Sequence, residues 1–274
     1  MIVKKAPRRD RPLLLTAALF VLSSAPAWAD GDNATTPDTD TSGFTILSNA
    51  TNVTHWGLGA GVGIEGLPYK GDGSKVSPIP LINFDNKWVH LGGTGIDLKI
   101  GNWRGVSVAL CGQFALFDGY KGSDAPILNG MQNRNGAFWY GPALAWSSAF
   151  GKLSGDYLLG GNKGERAKID FGKPFAFGSL TVEPHAGVEW LSGKYVDYYY
   201  GVRPSEAQAG RAAYDGKAAV NVSVGSRVDY KLTKQQSVIL DVGVTHLGSG
   251  ITDSPLVGRR FVPAARIGYL YQFQ

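Results

Sequence analysis

The sequence predicts an all-β protein whose strands form a closed antiparallel transmembrane β-barrel, and three observations lead to that prediction. Long segments alternate between apolar residues and polar or small ones, the chain contains 38 Gly, and its first residues have the pattern of an export signal. Alternation with a period of two is typical of a strand with two unlike faces. In hydrocarbon every backbone polar group has to be paired within the protein, so only helices and closed barrels cross a membrane.

The last segment, 259–274, shows the alternation most clearly. Alternate residues from Phe261 onward are apolar and the last three of them are aromatic, whereas the residues between are small or polar and include Arg266. The segment is long enough for the ~9–11 residues that a tilted strand needs to cross a bilayer. Aromatic residues at membrane–water interfaces form girdles. We therefore predict an aromatic girdle that includes Tyr198, Tyr200, Tyr269, Tyr271 and Phe273.

The first 29 residues have the pattern of a secretory signal peptide. Basic residues precede the apolar run 13–22, and a small–x–small triplet that ends at Ala29 predicts cleavage before Asp30. The apolar run is shorter than the ~20 residues of a membrane-spanning helix. Without this segment the chain has 22 Lys and Arg residues and 21 Asp and Glu residues instead of 27 and 22. The basic charge of the whole chain is therefore no argument for nucleic-acid binding.

The remaining chain is predicted to consist of a flexible lead-in, 30–48, and one outer-membrane β-barrel, 49–274. The lead-in is rich in Thr, Asp, Asn and Gly and poor in apolar residues. We predict about twelve strands, with ten as the alternative because 153–171 has the weakest pattern. The single cysteine, Cys111, excludes an internal disulfide.

Three segments of this barrel have patterns of their own. The segment Val53–Ile64 has apolar residues on one face and four glycines on the other, which indicates close backbone approach or strong curvature. The segment 76–84 contains Pro78 and Pro80, which predict an irregular or bulged strand because proline donates no ladder hydrogen bond. The segment 88–100 is interpreted as one strand, and 204–213 as one or two helical turns within a loop.

A barrel of this kind places ionisable side chains on the inner face of strands whose outer face is apolar. Several charged residues of the second half fit that rule, because each lies between apolar neighbours in the alternating pattern. Burying so many charges in a soluble sandwich would cost several kcal/mol each unless they were paired. The predicted lumenal polar network consists of Glu183, His185, Glu189, Arg227, Asp229, Asp241 and Arg266.

Several short segments form an ordered combination: Tyr198 to Val202, Glu206-Ala207, Arg211, Tyr214, 230–233, 253–256, 268–273 and the glycine-rich 57–62. Together they resemble the MltA-interacting protein (MipA)/OmpV family of outer-membrane proteins. The resemblance covers the whole mature chain and implies an outer-membrane location. For the family's named member it implies a scaffold that links a lytic transglycosylase to a penicillin-binding synthase in murein (peptidoglycan) growth. Outer-membrane lipid and the barrel assembly machinery are the further partners expected, although Gln274 follows the aromatic residue on which such barrels usually end.

Three classes of function remain open at this point: a non-catalytic scaffold or interaction protein, a small porin-like channel or adhesin, and a barrel hydrolase or acyltransferase. Catalysis by a nucleophile needs a base within hydrogen-bond reach. His185 is the best candidate base, because Glu183 and Glu189 flank it in register. The sequence has no Gly-x-Ser-x-Gly elbow. We therefore expect a non-catalytic protein with neither cofactor nor metal.

Overall fold

The computed structural model describes residues 45–46, 52–71, 73–115 and 118–273. The predicted cleavage between Ala29 and Asp30 lies outside the described residues. The strands within the described residues are β1 Thr45–Ile46, β2 His55–Gly66, β3 Ser74–Asp85, β4 Val89–Gly92, β5 Gly95–Trp103, β6 Val106–Phe114, β7 Phe138–Ser148, β8 Gly151–Leu159, β9 Glu165–Gly172, β10 Phe175–Phe177, β11 Leu180–Leu191, β12 Ala219–Lys231, β13 Gln236–His246 and β14 Phe261–Phe273.

Twelve of these strands close into an antiparallel barrel, which confirms the predicted fold class and strand count. Successive strands pair along the chain, and β14 pairs with β2 from Phe273 opposite Trp56 to Ala264 opposite Glu65. The other two strands extend this wall. β1, within the segment predicted as a lead-in, pairs with the end of β5, and β10 continues the course of β9 along β11.

The barrel wall has an apolar outer face. Leu58, Ile169 and Val224 are examples of the large apolar side chains that lie exposed on it, and such residues recur at alternate positions of the long strands. Soluble proteins rarely expose contiguous apolar surface of this extent. The outer face therefore fits hydrocarbon rather than water.

The glycine face of β2 lies inside the barrel, where β2 and β14 approach each other closely. A Cβ atom at Gly59 would overlap the carbonyl oxygen of Tyr269, and one at Gly61 would lie 2.5 Å from the carbonyl oxygen of Ile267. Close approach is what glycine on a strand face predicts. These glycines allow the wall to curve tightly along the line where the chain's first long strand meets its last.

Two strand predictions are wrong. β3 runs without a break from Ser74 to Asp85, although it contains Pro78 and Pro80. The segment 88–100 is a hairpin, in which β4 and β5 are joined by the two-residue turn Gly93-Thr94. The reason is that this turn interrupts the alternating pattern for two residues only, so that both arms were interpreted as one strand.

The two ends of the barrel differ in the length of their connections. At the end that holds the chain's last residues the turns have two to four residues, whereas the other end carries the connections 115–137, 192–218 and 247–260. Short periplasmic turns and long extracellular loops are typical of outer-membrane barrels, which gives the orientation. The long connections contain helices α1, Gly193–Tyr200, and α2, Ser249–Thr252, and 3₁₀ turns at Pro126–Leu128 and Pro204–Glu206.

None of the helices in the described part of the chain is long and apolar enough to span a membrane. The helical turns predicted over 204–213 are a single 3₁₀ turn, Pro204–Glu206. The longest helix, α1, instead covers the tyrosine-rich segment before it. Ser192 caps α1, because its hydroxyl oxygen accepts a hydrogen bond from the backbone N–H of Tyr195 at 3.3 Å.

Candidate functional site: the lumen and its extracellular cap

The predicted lumenal residues lie on the inner face of neighbouring strands. Cross-strand register places Glu183 opposite Arg227, Arg227 opposite Asp241, and Asp241 opposite Arg266. Asp241 lies between two partners, since its carboxylate is 3.3 Å from Nε2 of His185 and 3.6 Å from Arg266. The structure therefore gives His185 a carboxylate partner on β13 in place of the flanking Glu183 and Glu189.

The other predicted members of the network have different partners. Arg227 holds Asp229, two residues along the same strand, with Nε and Nη2 donating to its two carboxylate oxygens at 2.8 and 3.1 Å. Glu189 lies opposite Lys168 of β9 in register, and Lys168 pairs with Asp170 at 3.0 Å. The inner wall is therefore a set of local ion pairs rather than one connected catalytic group.

A second buried histidine was not singled out from the sequence. His90 on β4 is 3 % exposed, and its Nδ1 lies 3.2 Å from the carboxylate of Asp85. Lys99 donates to the same carboxylate oxygen at 2.8 Å. A short turn brings Asp85 and His90 together, and the Asn86 side chain within it accepts hydrogen bonds from two backbone N–H groups. This turn is the sequence signal that could have identified the pair.

An apolar cluster fills part of the lumen on the periplasmic side of this network. Ile79 and Leu81 of β3 meet Ile239 of β13 and Leu270 of β14, and all four side chains are buried. Glycines of the facing strands make room for them, because a Cβ at Gly268 would lie 2.6 Å from Cδ1 of Leu81. We call these four residues the apolar floor.

Above the floor lies a cavity of about 340 Å³ that extends toward the extracellular end. Seven carboxylates and three Lys or Arg side chains line it, together with His90 and His185. Among the described residues there is no group of three His, Cys, Asp or Glu side chains arranged to hold a metal ion.

The long extracellular connections fold over the cavity and form a packed cap, which consists of residues 67–71, 118–137, 192–218 and 247–260. Leu128, Val202 and Leu256 come from three different connections and pack together with Tyr69 and Tyr120. A second cluster joins Val196 of α1 to Ile251 of α2 and to Leu191 at the end of β11.

The tyrosines of α1 belong to this cap, which corrects the prediction of a lipid-facing girdle for Tyr198 and Tyr200. Tyr199 is buried against Trp139, and Tyr198 and Tyr200 pack against the same cluster. Tyr200 also lies near Tyr69, with 6.0 Å between ring centroids. The physical reason is that the segment forms a helix outside the strands, so its aromatic side chains turn inward onto the loops.

The other three residues of the predicted girdle lie at the end of β14. Tyr269 is exposed on the outer face. Phe273 stacks on Trp56 of β2, with 3.9 Å between ring centroids, and Tyr271 meets Phe273 edge-on. All three lie at the barrel end that carries the short turns.

Two buried arginines hold the cap together. Arg211 is 2 % exposed and donates to the carbonyl oxygens of Glu206 at 2.7 and 3.0 Å, of Ile127 at 2.5 Å and of Asn129 at 2.9 Å. Arg134 donates to both carboxylate oxygens of Glu206 at 3.0 and 3.2 Å, and to the carbonyl oxygen of Tyr198 at 2.8 Å. These bonds join the connection 115–137 to the connection 192–218.

The cap shifts the pKa values of two carboxyl groups in opposite directions. Burial opposes ionisation of Glu206, but hydrogen bonds from the backbone N–H groups of Gln132 and Arg203 and from the Arg134 side chain outweigh it, so its pKa lies below the usual value. Burial raises the pKa of Asp118 to about 6, although nearby Arg166 opposes the shift. Glu206 is therefore a permanent anion of the cap, whereas Asp118 titrates near neutral pH.

A closed barrel with an apolar outer face, a charged lumen and long loops at one end defines an outer-membrane β-barrel protein. The family model of the MltA-interacting protein MipA matches residues 57–273, and the chain belongs to that family. The residues that carry the resemblance include Tyr198 to Val202, Glu206 and Arg211, and these lie in the cap.

Curated relatives of this chain include an MltA-interacting protein and proteins with outer-membrane names. The MltA-interacting protein of Escherichia coli (strain K12) is 28% identical over 83% of this chain and 96% of its own length. Outer membrane protein Omp26La of Vibrio anguillarum is 28% identical over 41% of this chain and 44% of its own length. Outer membrane protein OmpV of Vibrio cholerae serotype O1 has the same identity and the same coverage of both chains. The outer membrane is thus the location of this protein.

Proposed function

We propose that this protein is a non-catalytic outer-membrane interaction protein that holds murein synthesis or remodelling enzymes at its periplasmic side. The observation that carries the proposal is that side chains pack together at two levels within the described residues: in the cap on the extracellular side and in the apolar floor on the periplasmic side. A barrel obstructed in this way is poorly suited to general diffusion. The name of the Escherichia coli relative supports a lytic transglycosylase as the partner, with a penicillin-binding synthase as the second enzyme of such an assembly.

The periplasmic turns offer a surface for such a partner. Within the described residues they carry Lys87, Arg104, Lys173 and Lys234 and no Asp or Glu. Trp88 and Phe150 are exposed beside them. Aromatic side chains and Arg are common at protein interfaces. A surface that carries charges of one sign favours a partner surface of the opposite sign. An acidic surface on the partner enzyme is the expected complement.

A crosslinking pull-down from cell envelopes, read by mass spectrometry, tests this proposal. We expect the wild-type protein to recover a lytic transglycosylase, and a variant with Lys87, Arg104 and Lys234 changed to Glu to lose it. The matched control reverses three exposed charges of the extracellular end, Lys121, Lys194 and Arg203, and is expected to keep the enzyme. Failure of the wild-type protein to recover any murein enzyme would count against the proposal.

The channel alternative is tested separately in planar bilayers. Because the cap and the floor both obstruct the lumen, we expect no steady ohmic conductance from the purified full chain at neutral pH. Steady conductance would overturn the interaction-only function. The enzyme alternative predicts an envelope ester-hydrolysis signal that disappears in His185→Ala, and we expect no such signal because the sequence has no Gly-x-Ser-x-Gly elbow to supply a nucleophile.

A further inference from the structure

The barrel wall has a notch beside β3, where the short hairpin β4–β5 ends. Gly92, the last residue of β4, lies opposite Asn83, and the backbone N–H of Gly93 donates to the carbonyl oxygen of Ile82 at 3.2 Å. β3 continues from there for eight more residues toward the extracellular end, from Leu81 to Ser74. Among the described residues no strand pairs with that side of β3.

Two prolines lie on this unpaired edge. Successive residues of a strand direct their backbone groups to opposite sides, so Pro78 and Pro80 point toward the same side as Ile82, which bonds toward the hairpin. Proline has no backbone N–H. The edge therefore lacks two donors that an added strand would need, while the ladder between β3 and β2 remains complete. Such an edge resists strand addition.

The notch lies beside apolar side chains of the outer face. β4 and β5 both stop at it, so the wall is narrower there by two strands, or about 10 Å at the usual strand spacing. The outward side chains beside it, Val76 and Ile82, are exposed and apolar. Unpaired backbone carbonyls at this depth are tolerated only where they face protein or a polar cavity. The carbonyls of Val76, Pro78 and Pro80 thus require hydrogen-bond donors within the notch.

The lumenal cavity reaches the hairpin tip, which is the lower border of the notch. Gly92, Gly95 and Gln113, at the tip of the hairpin and on the adjacent strand β6, line it. These side chains are small or polar, and a Cβ at Gly95 would approach no atom closer than 3.5 Å. Nothing bulky among these residues separates the cavity from the hairpin tip.

The cavity offers more hydrogen-bond acceptors than donors. Nε2 of His90 and Oδ1 of Asp156 are buried and have no hydrogen-bond partner among the described residues. Because Nδ1 of His90 bonds to Asp85, Nε2 is the ring nitrogen that is left without a partner. With seven carboxylates against three Lys or Arg side chains, the lining has an excess of negative charge.

We propose that the notch is a lateral entry from the outer leaflet to the lumen for a cationic amphiphile, a molecule with an apolar body and an ammonium head. The apolar body reaches the notch through the bilayer, and the ammonium group donates hydrogen bonds to the carboxylates and to His90 in the cavity. A cavity of about 340 Å³ has room for a small ligand of this class. This inference is independent of the periplasmic partner proposed above.

Photolabelling of the full chain in lipid vesicles tests the proposal. The probe is dodecylamine with a diazirine in its chain, and mass spectrometry maps the labelled residues. We expect labels on residues 92–97 and 113–115. In Gly95→Phe, which places a ring at the cavity mouth, we expect these labels to fall about tenfold, which is ~1.4 kcal/mol of binding. The control Leu98→Phe adds a similar ring on the outer face of the same strand and is expected to leave them unchanged.

A second probe with the same chain and a carboxylate head separates entry from charge recognition. We expect it to label the lumen about tenfold less than the amine does. Equal labelling by both probes would overturn the cationic head, and labelling confined to outward side chains would overturn the entry itself. If Gly95→Phe fails to assemble, Gln113→Phe tests the same mouth from β6.

Discussion

Replacing Arg211 by alanine tests whether the cap closes the barrel independently of the wall. The guanidinium group donates to three carbonyl oxygens, of which that of Glu206 is buried and those of Ile127 and Asn129 are partly buried. At ~1–1.5 kcal/mol for each carbonyl that loses its partner, the closed cap should lose ~3–4.5 kcal/mol. The equilibrium constant for opening the cap then rises by about two to three orders of magnitude.

Amide hydrogen exchange of the full chain in vesicles measures this effect. We expect faster exchange in residues 119–135 and 195–214, with the barrel strands unchanged, because the lost bonds lie only between extracellular connections. Arg203→Ala is the matched control, since that side chain is exposed and donates to Gln132 at the surface. Unchanged cap exchange in Arg211→Ala, or an equal increase in the barrel strands, would refute the reasoning.

Three further substitutions test other parts of the structure. Gly59→Val should prevent assembly of the barrel, measured as heat-modifiable migration on gels, because a Cβ at residue 59 meets the backbone of β14. Gly73→Val should assemble, because a Cβ there has no atom within 4 Å. Normal assembly of both variants would contradict this reasoning. Phe273→Ala should lower the free energy of unfolding in urea by ~1–3 kcal/mol through loss of its stack on Trp56, and no change would argue against that contact. Asp118 has a pKa of about 6 in the closed cap, so the protection factors of the cap amides, which are corrected for the intrinsic pH dependence of exchange, should fall as the pH rises from 4 to 7, and Asp118→Asn should abolish that fall; a fall that persists in this variant would point to another group.

The sign of the Asp118 effect follows from its raised pKa. The closed cap favours the protonated carboxyl, and its stabilisation is complete below the ordinary pKa and lost as the pH rises through about 6. The groups that face Asp118 are Arg166, Glu189, Lys75 and Lys163. The pH effect of Glu206 has the opposite sign. Because its pKa is lowered, its contribution to the stability of the cap is lost only as the pH falls through that pKa. Above pH 5, therefore, a change in cap stability does not come from Glu206.

The barrel was predictable because lipid imposes a period of two on every long strand. β2 and β14 are clear cases, since apolar and small residues alternate through both. The hairpin β4–β5 was missed, although Gly92-Gly93-Thr94-Gly95 is a glycine-rich turn signal, because the alternating pattern resumes directly after it.

The cap was not predictable in the same way. Its bonds join residues far apart in the chain, such as Arg134 with Glu206, and no local pattern in a single sequence reports such a pair. The tyrosine run fits both a girdle at the lipid surface and a helix packed on loops, so the sequence alone does not distinguish them. That distinction depends on Ser192, which caps α1 and turns the chain away from the wall at the end of β11.

The cap and the apolar floor are separate obstacles, and their separation decides how the conductance experiment has to be interpreted. Opening the cap with Arg211→Ala leaves the apolar floor, which consists of Leu81 and its three neighbours, in place. If that variant alone conducts in planar bilayers, the floor is not a barrier and the cap gates a channel. If conductance also requires Leu81→Gly, the lumen has two barriers in series, which is the arrangement expected of a protein that acts through its surfaces. The notch bypasses both, so photolabelling of residues 92–97 by the amine probe should be unaffected by either substitution.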